Sequence, residues 1–309
     1  MAQILSAIGS MGVYLVFLLV VYWCVSPSAG ARGLVLLMLS SSLNELAKLW
    51  AVAPRPYWTD PSIVPGASVT SFGMPSGHAQ NAVVVWGVLA WSLGRRAAWA
   101  VAAVMALGIG WSRYALGVHS VGQILAGWGI GLALLAGAMA WTEPLARWWR
   151  RWPLQDRLAL AVLPSFVLFA VTVLAARNLS DETFPWTWAE AVRRAGGEGP
   201  RTSSDAAAAG WGFLAGFLAG LAPRAAPPPL DPAGGWRRGA LRVLTGVAAF
   251  CLPAAVYLVM VSLASPFAPA LFVLSALAGL WTVWGAPKAF ERLGLTGGGP
   301  VSPRVHPDG

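Results

Sequence analysis

Charge is scarce in this chain. Only 11% of its 309 residues are Asp, Glu, Lys or Arg, against 57% that are hydrophobic, a balance that cannot clothe a water-soluble domain of this length. Cysteine is scarcer. Cys24 and Cys251 both sit inside apolar blocks, which excludes a disulfide framework and a thiolate zinc site. The three histidines, His78, His119 and His306, are too few and too scattered for a metal cage, so neither a metal nor a cofactor is expected. No Lys or Arg precedes Arg32, so the first apolar block lacks the basic leader of a signal peptide and is expected to be a retained helix. No repeat of fixed period occurs.

Long apolar blocks fill the chain instead. Crossing about 30 Å of hydrocarbon takes roughly 20 helical residues, and a helix satisfies its own backbone polar groups in lipid. Nine blocks approach that length: Ile4 to Val25, Gly33 to Trp50, Ala79 to Leu93, Ala97 to Trp111, Val121 to Trp141, Leu158 to Ala175, Ala206 to Leu221, Ala240 to Leu263 and Pro266 to Trp284. The expected fold class is therefore an all-α polytopic membrane protein of about nine transmembrane helices.

Its parts are read as a membrane core over 1–176, a loop over 177–205 and a three-helix extension over 206–285. A cytoplasmic tail over 286–309 completes the chain. Within the loop, Trp186 and Trp188 among mixed charges suggest a short interfacial helix, a possible lid, though plain loop is the simpler expectation. Pro223 to Gly235 reads as a linker, and the Gly/Pro-rich tail from Gly294 as disordered.

The net charge of +9 does not call for a nucleic-acid partner, because the basic residues sort by face. Nine spans place fourteen of the 21 basic residues on one side, among them Arg95, Arg96, Arg147, Arg150 and Arg151. The other side holds Lys48, Arg55, Arg113, Arg177, Arg193, Arg194 and Arg201 against as many acids. That neutral side is expected to face away from the cytoplasm, with the N-terminus there and the C-terminus in the cytoplasm, most plausibly in a bacterial inner membrane.

Three polar blocks converge on that face: Lys48 to Pro56, Pro75-Ser76-Gly77-His78, and Ser112-Arg113 through His119. Lys48, Arg55 and Arg113 supply positive charge for a phosphoryl group. Ser76 and the amides of Gly77 and His78 sit where a helix begins, a place that favours an anion. Two histidines can then divide nucleophilic and acid–base work. Each block alone has an ordinary explanation, as a snorkelling cation, a structural histidine or a turn before a helix. All three in order on one face do not.

The pattern resembles the type 2 phosphatidic acid phosphatase superfamily, whose signature is Lys, six residues, Arg-Pro; then Pro-Ser-Gly-His; then Ser-Arg, five residues, His, three residues, Asp. Lys48, Arg55, Pro56, Pro75, Ser76, Gly77, His78, Ser112, Arg113 and His119 match it, and Gln123 replaces the Asp. Gln at that position resembles the glucose-6-phosphatase and dolichyl diphosphatase branches, and Asn44 and the run Arg55-Pro56-Tyr57-Trp58 resemble the former.

The resemblance implies a metal-independent phosphatase. His119 would be the nucleophile that forms a phosphohistidine, with His78 as acid and base. Gln123 would orient His119, and Lys48, Arg55, Ser76, Gly77 and Arg113 would bind the phosphate without moving. Ser112 ranks lower, as support. The substrate expected is a lipid phosphate: phosphatidate, a sphingoid phosphate or a polyprenyl (di)phosphate. A soluble sugar phosphate is the alternative. A silent transporter or scaffold stays open, whereas the vanadium haloperoxidases, which share the anion site, are soluble and this chain is not. Membrane lipids are the expected surroundings, and oligomeric state is left open.

Overall fold

In the computed structural model the chain is described over residues 1–179, 183–202, 204–223, 235–263 and 268–296. Most of the expected linker, residues 224–234, lies outside these, as do Asp181, Glu182, Pro266, the tail from 297 and His306.

The described residues form helices joined by turns and loops, with no strand among them. In order these are α1 (Ala2–Ile8), α2 (Met11–Val20), α3 (Pro27–Ala51), α4 (Pro56–Thr59), α5 (Gly77–Leu93), α6 (Arg96–Ala115) and α7 (Val121–Trp149). Then come α8 (Leu154–Arg177), α9 (Trp186–Arg194), α10 (Asp205–Leu221), α11 (Gly235–Leu263), α12 (Ala268–Leu280) and α13 (Ala286–Arg292). Wider π turns continue α2 over Val21–Val25 and link α12 to α13 over Trp281–Gly285.

Among the described residues, four helical stretches can cross a membrane by length and composition: Pro27–Thr59, Val121–Trp149, Leu154–Arg177 and Ala268–Arg292. A fifth is added if α1 and α2 count as one broken span. The chain is an integral membrane protein, although this measure does not reach the nine spans expected. At 17 residues each, α5 and α10 fall short of a full crossing.

The first expected span is not one helix. It bends by 52° between α1 and α2, where Ser10 leaves helical geometry (φ −75°, ψ 149°). The break is closely packed, since a Cβ on Gly9 would lie 2.6 Å from Ile109 Cγ2 of α6 and 3.4 Å from His78 Cδ2. Thus α1 is drawn over the start of α5 rather than continuing the line of α2.

Helix α3 begins cleanly, with Ser26 accepting from the Ala29 amide at 3.3 Å and Pro27 in the first turn. Its 25 residues carry it about 37 Å at 1.5 Å per residue, enough to put Lys48 at the far end of a crossing. A left-handed Val52 (φ 42°) ends it and turns the chain into Pro54-Arg55-Pro56. Beside α3, α10 and α12 pack backbone to backbone. A Cβ on Gly212 or Gly216 would collide with the main-chain oxygens of Phe272 and Ala276, so small residues make this contact possible. Tyr14, Tyr22, Trp23, Trp211, Phe217 and Phe290 fill the core that joins the amino-terminal helices to the extension.

Candidate active site

The site forms where α3, α5, α6 and α7 end or begin. Arg55 is its hub. Only 2% exposed, it spends all five N–H donors inside the protein. Its Nε donates to Ser71 O at 2.7 Å, and Nη2 donates to Ser71 Oγ at 3.1 Å and Phe72 O at 3.2 Å. From Nη1, hydrogen bonds run to Val118 O at 2.9 Å and His119 Nε2 at 3.0 Å.

The opposite edge of His119 faces Gln123, with Nδ1 3.1 Å from Oε1. Gln123 Nε2 donates to Pro54 O at 2.8 Å, so the amide oxygen must be the atom turned toward the ring. The same oxygen accepts from the Ser120 amide at 3.2 Å, while Ser120 Oγ caps the Gln123 amide at 3.3 Å. This reciprocal box starts α7 and positions His119 at once.

Arginine can only donate to Nε2, and the Gln123 oxygen can only accept from Nδ1. His119 is therefore a neutral imidazole with its proton on Nδ1 and its lone pair on Nε2. Burial, then the positive charges of Arg55, Arg113 and Lys48, hold its pKa well below the usual imidazole value.

Lys48 Nζ meets Glu45 Oε1 at 2.6 Å and Ser71 Oγ at 3.4 Å. The turn Pro75-Ser76-Gly77-His78 opens α5, and the Ser76 amide donates to Gln123 O at 3.0 Å. Ser76 Oγ does not cap its helix; it is buried with no hydrogen-bond partner among the described residues, and Arg113 Nε is likewise unpartnered. Ser112 turns away, its hydroxyl donating to Ile109 O at 2.6 Å, which fits its lower rank. The structure thus gathers Lys48, Arg55, Ser76, Gly77, His78, Arg113, His119 and Gln123 at one end of the bundle.

Four partners carry no motif and were missed. Ser71 ties Lys48 to Arg55. Pro54 supplies the carbonyl that orients Gln123. Gly73 must lack a side chain, since its Cβ would sit 2.6 Å from Gln123 Nε2 and 2.8 Å from Pro54 O. Ser6, on α1, accepts from Arg113 Nη1 through its hydroxyl, and its main chain approaches the His78 ring. No spacing rule points to Ser6, more than 100 residues from Arg113.

Two features that resembled the glucose-6-phosphatase branch have structural work here. Asn44 Nδ2 donates to Pro75 O at 3.3 Å and Gln80 Oε1 at 2.8 Å, behind the phosphate-motif turn. Tyr57 donates to Val69 O at 2.7 Å, and Trp58 is buried against Phe72 and Trp188.

Comparison with known families matches residues 30–147 to the PAP2 superfamily. Residues 30–147 are a PAP2 superfamily domain. PAP2 denotes the type 2 phosphatidic acid phosphatases, and residues 208–298 match a second family, the PAP2 superfamily phosphatase transmembrane extension. A relative, phosphatidylglycerophosphatase B of Bacillus subtilis, is 32% identical over 127 residues, 37% of this chain and 60% of that protein's length. A solved PAP2-type phosphatidylglycerolphosphate phosphatase from Bacillus subtilis aligns at 25% identity and TM-score 0.40, over 46% of this chain and 75% of that one.

Proposed function

We propose that the chain is a membrane phosphatase that hydrolyses a lipid phosphate monoester or diphosphate without a metal, through a phosphohistidine on His119. One observation carries this reading. A neutral imidazole is held with its Nε2 lone pair among three cations, beside two buried donors, Ser76 Oγ and Arg113 Nε, that have no protein partner among the described residues. Unpaired buried donors are costly, and an oxyanion would satisfy them.

Nε2 of His119 attacks phosphorus, the bond to the ester oxygen breaks, and His78 gives that oxygen its proton. His78 then takes a proton from water, whose oxygen attacks phosphorus as the P–N bond breaks, releasing phosphate and neutral His119. The static cation cradle expected above does not suit Arg55. Its Nη1 rests on the attacking nitrogen, so it must transfer that donor to a phosphoryl oxygen as substrate arrives. Arg55 thus masks the nucleophile until a phosphate takes its place.

A lipid substrate is favoured by the outer face of α3. There Leu43, Leu46, Ala47, Trp50 and Ala51 line an apolar groove of about 540 Å³ one helix face away from Lys48, suited to an acyl or prenyl chain entering sideways. The name of the Bacillus relative adds phosphatidylglycerophosphate to the candidates. Nine spans remain our reading of the topology, with the short α5 and α10 crossing inside the bundle and the site on the non-cytoplasmic face.

The test is phosphate release from matched lipid and sugar phosphates by purified protein with chelator present. His119→Ala should abolish release, and alkaline quench of wild type during turnover should trap phosphate on the protein in a bond that is stable to base and labile to acid. His78→Ala should slow poor leaving groups more than good ones. Wild-type activity in His119→Ala, or activity lost to chelator and restored by a divalent ion, would overturn the mechanism.

A further inference from the structure

The second cavity on α3 is polar where the first is apolar. About 280 Å³ in volume, it is lined by Glu45, Lys48, Ser68, Thr70, Ser71 and Arg201, among others. Lys48 and Ser71 belong equally to the Arg55 cluster, so the cavity opens from the phosphate site. Its far wall is Arg201, which lies between the two family-matched regions and so outside both.

Arg201 is exposed, and its main chain is fixed in place. Its amide donates to Thr70 O at 2.7 Å. The approach to it is fixed at Gly197, whose Cβ would meet Ser68 Oγ at 2.8 Å. Upstream, α9 is clamped on α4 and the following loop by Trp58 against Trp188 at 5.9 Å, Phe184 stacked on Trp188 at 6.2 Å, and Phe72 against Phe184 at 6.0 Å. The segment expected as plain loop is therefore a fixed cover over residues 56–72. Lys48 is already paired with Glu45 at 2.6 Å, whereas no ion pair for Arg201 occurs among the described residues. The cavity thus holds two cations against one carboxylate, ringed by three hydroxyls.

We infer that this cavity receives the leaving half of the substrate and that Arg201 pairs there with a second anionic group. The preferred substrate is then a phosphate monoester whose leaving alcohol itself carries a negative charge, such as a lipid with a phosphodiester in its headgroup. The serine and threonine hydroxyls suit the polyol that joins the two charges, and the apolar groove on the neighbouring face of α3 suits the chains. This rests on the phosphatase reading above and adds selectivity to it.

Two lipids with identical acyl chains separate the claims: phosphatidylglycerophosphate, whose leaving alcohol carries a phosphodiester, and phosphatidate, whose leaving diacylglycerol is neutral. With the full chain in nanodiscs, wild type should prefer the first in kcat/KM. Arg201→Ala should reduce that preference about tenfold, mostly through KM, as loss of one charge-assisted contact implies. Arg201→Lys should recover part of it. Both variants keep the main-chain bond to Thr70, and matched melting curves would show that the fold is retained. Equal loss on both lipids, an unchanged preference, or a wild type that prefers phosphatidate would overturn the subsite while leaving the phosphatase intact. Release from neither lipid would remove the phosphatase reading and the subsite together.

Discussion

His119 Nδ1 lies 3.1 Å from Gln123 Oε1, and the amide can present only that oxygen, because its nitrogen is held by Pro54 O at 2.8 Å. A carbonyl oxygen fixes the ring's tautomer without adding negative charge. Where a carboxylate stands in this position it favours the protonated imidazole, whereas here burial and three cations outweigh the Gln123 hydrogen bond and keep His119 neutral.

A sign follows for pH. As the proposed nucleophile His119 must be neutral, and its pKa is depressed, so activity should persist to pH values below the usual imidazole range. Gln123→Glu raises that pKa and should move the acidic limb of kcat/KM to higher pH, with activity approaching wild type once the ring is again neutral. Gln123→Leu removes both the tautomer lock and the capping box, and should lose rate at every pH together with about 1 kcal/mol of stability. An acidic limb that does not move in the Glu variant would take Gln123 out of the site.

At Gly73 a side chain would contest the same space. Gly73→Ala places a methyl 2.6 Å from Gln123 Nε2 and 2.8 Å from Pro54 O, and should lower kcat by about a hundredfold, the cost of displacing a positioned group. Gly129→Ala is the control, since nothing lies within 4 Å of its Cβ in α7. It should keep full activity and gain about 0.5 kcal/mol in melting analysis from reduced backbone freedom. Equal behaviour of the two variants would show that Gln123 tolerates displacement.

Helix α1 bears on the chemistry through Ser6. Ser6→Ala removes the hydroxyl that receives Arg113 Nη1 and should lower kcat/KM by about five- to tenfold. Gly9→Val drives a branched side chain into Ile109 and toward His78 and should abolish turnover. Steady-state kinetics on both variants check this, and wild-type constants in Gly9→Val would mean that α1 does not close on the site in the membrane.

Sidedness is testable at Ser62, an exposed residue in the loop after α4. In a background lacking Cys24 and Cys251, Ser62→Cys should react with an impermeant thiol reagent applied from outside the cytoplasm. Labelling from the cytoplasmic face alone would invert the topology.

The sequence by itself was enough to point to the candidate site. Lys48, Arg55, the Pro75 to His78 turn, Arg113 and His119 are legible because phosphate chemistry admits few residue types, and because apolar blocks of known length bring their ends to one face. Tertiary structure decided how those groups bind one another. That Arg55 rests on His119 Nε2, that Asn44 braces the Pro75 turn, that Gly73 makes room for Gln123, and that Ser6 reaches Arg113 from a bent first span all depend on backbones meeting across gaps of 31 to 107 residues. Periodicity and spacing report what a segment can do locally. A hydrogen bond between distant segments depends on packing to within a few tenths of an ångström, and only the assembled bundle sets that.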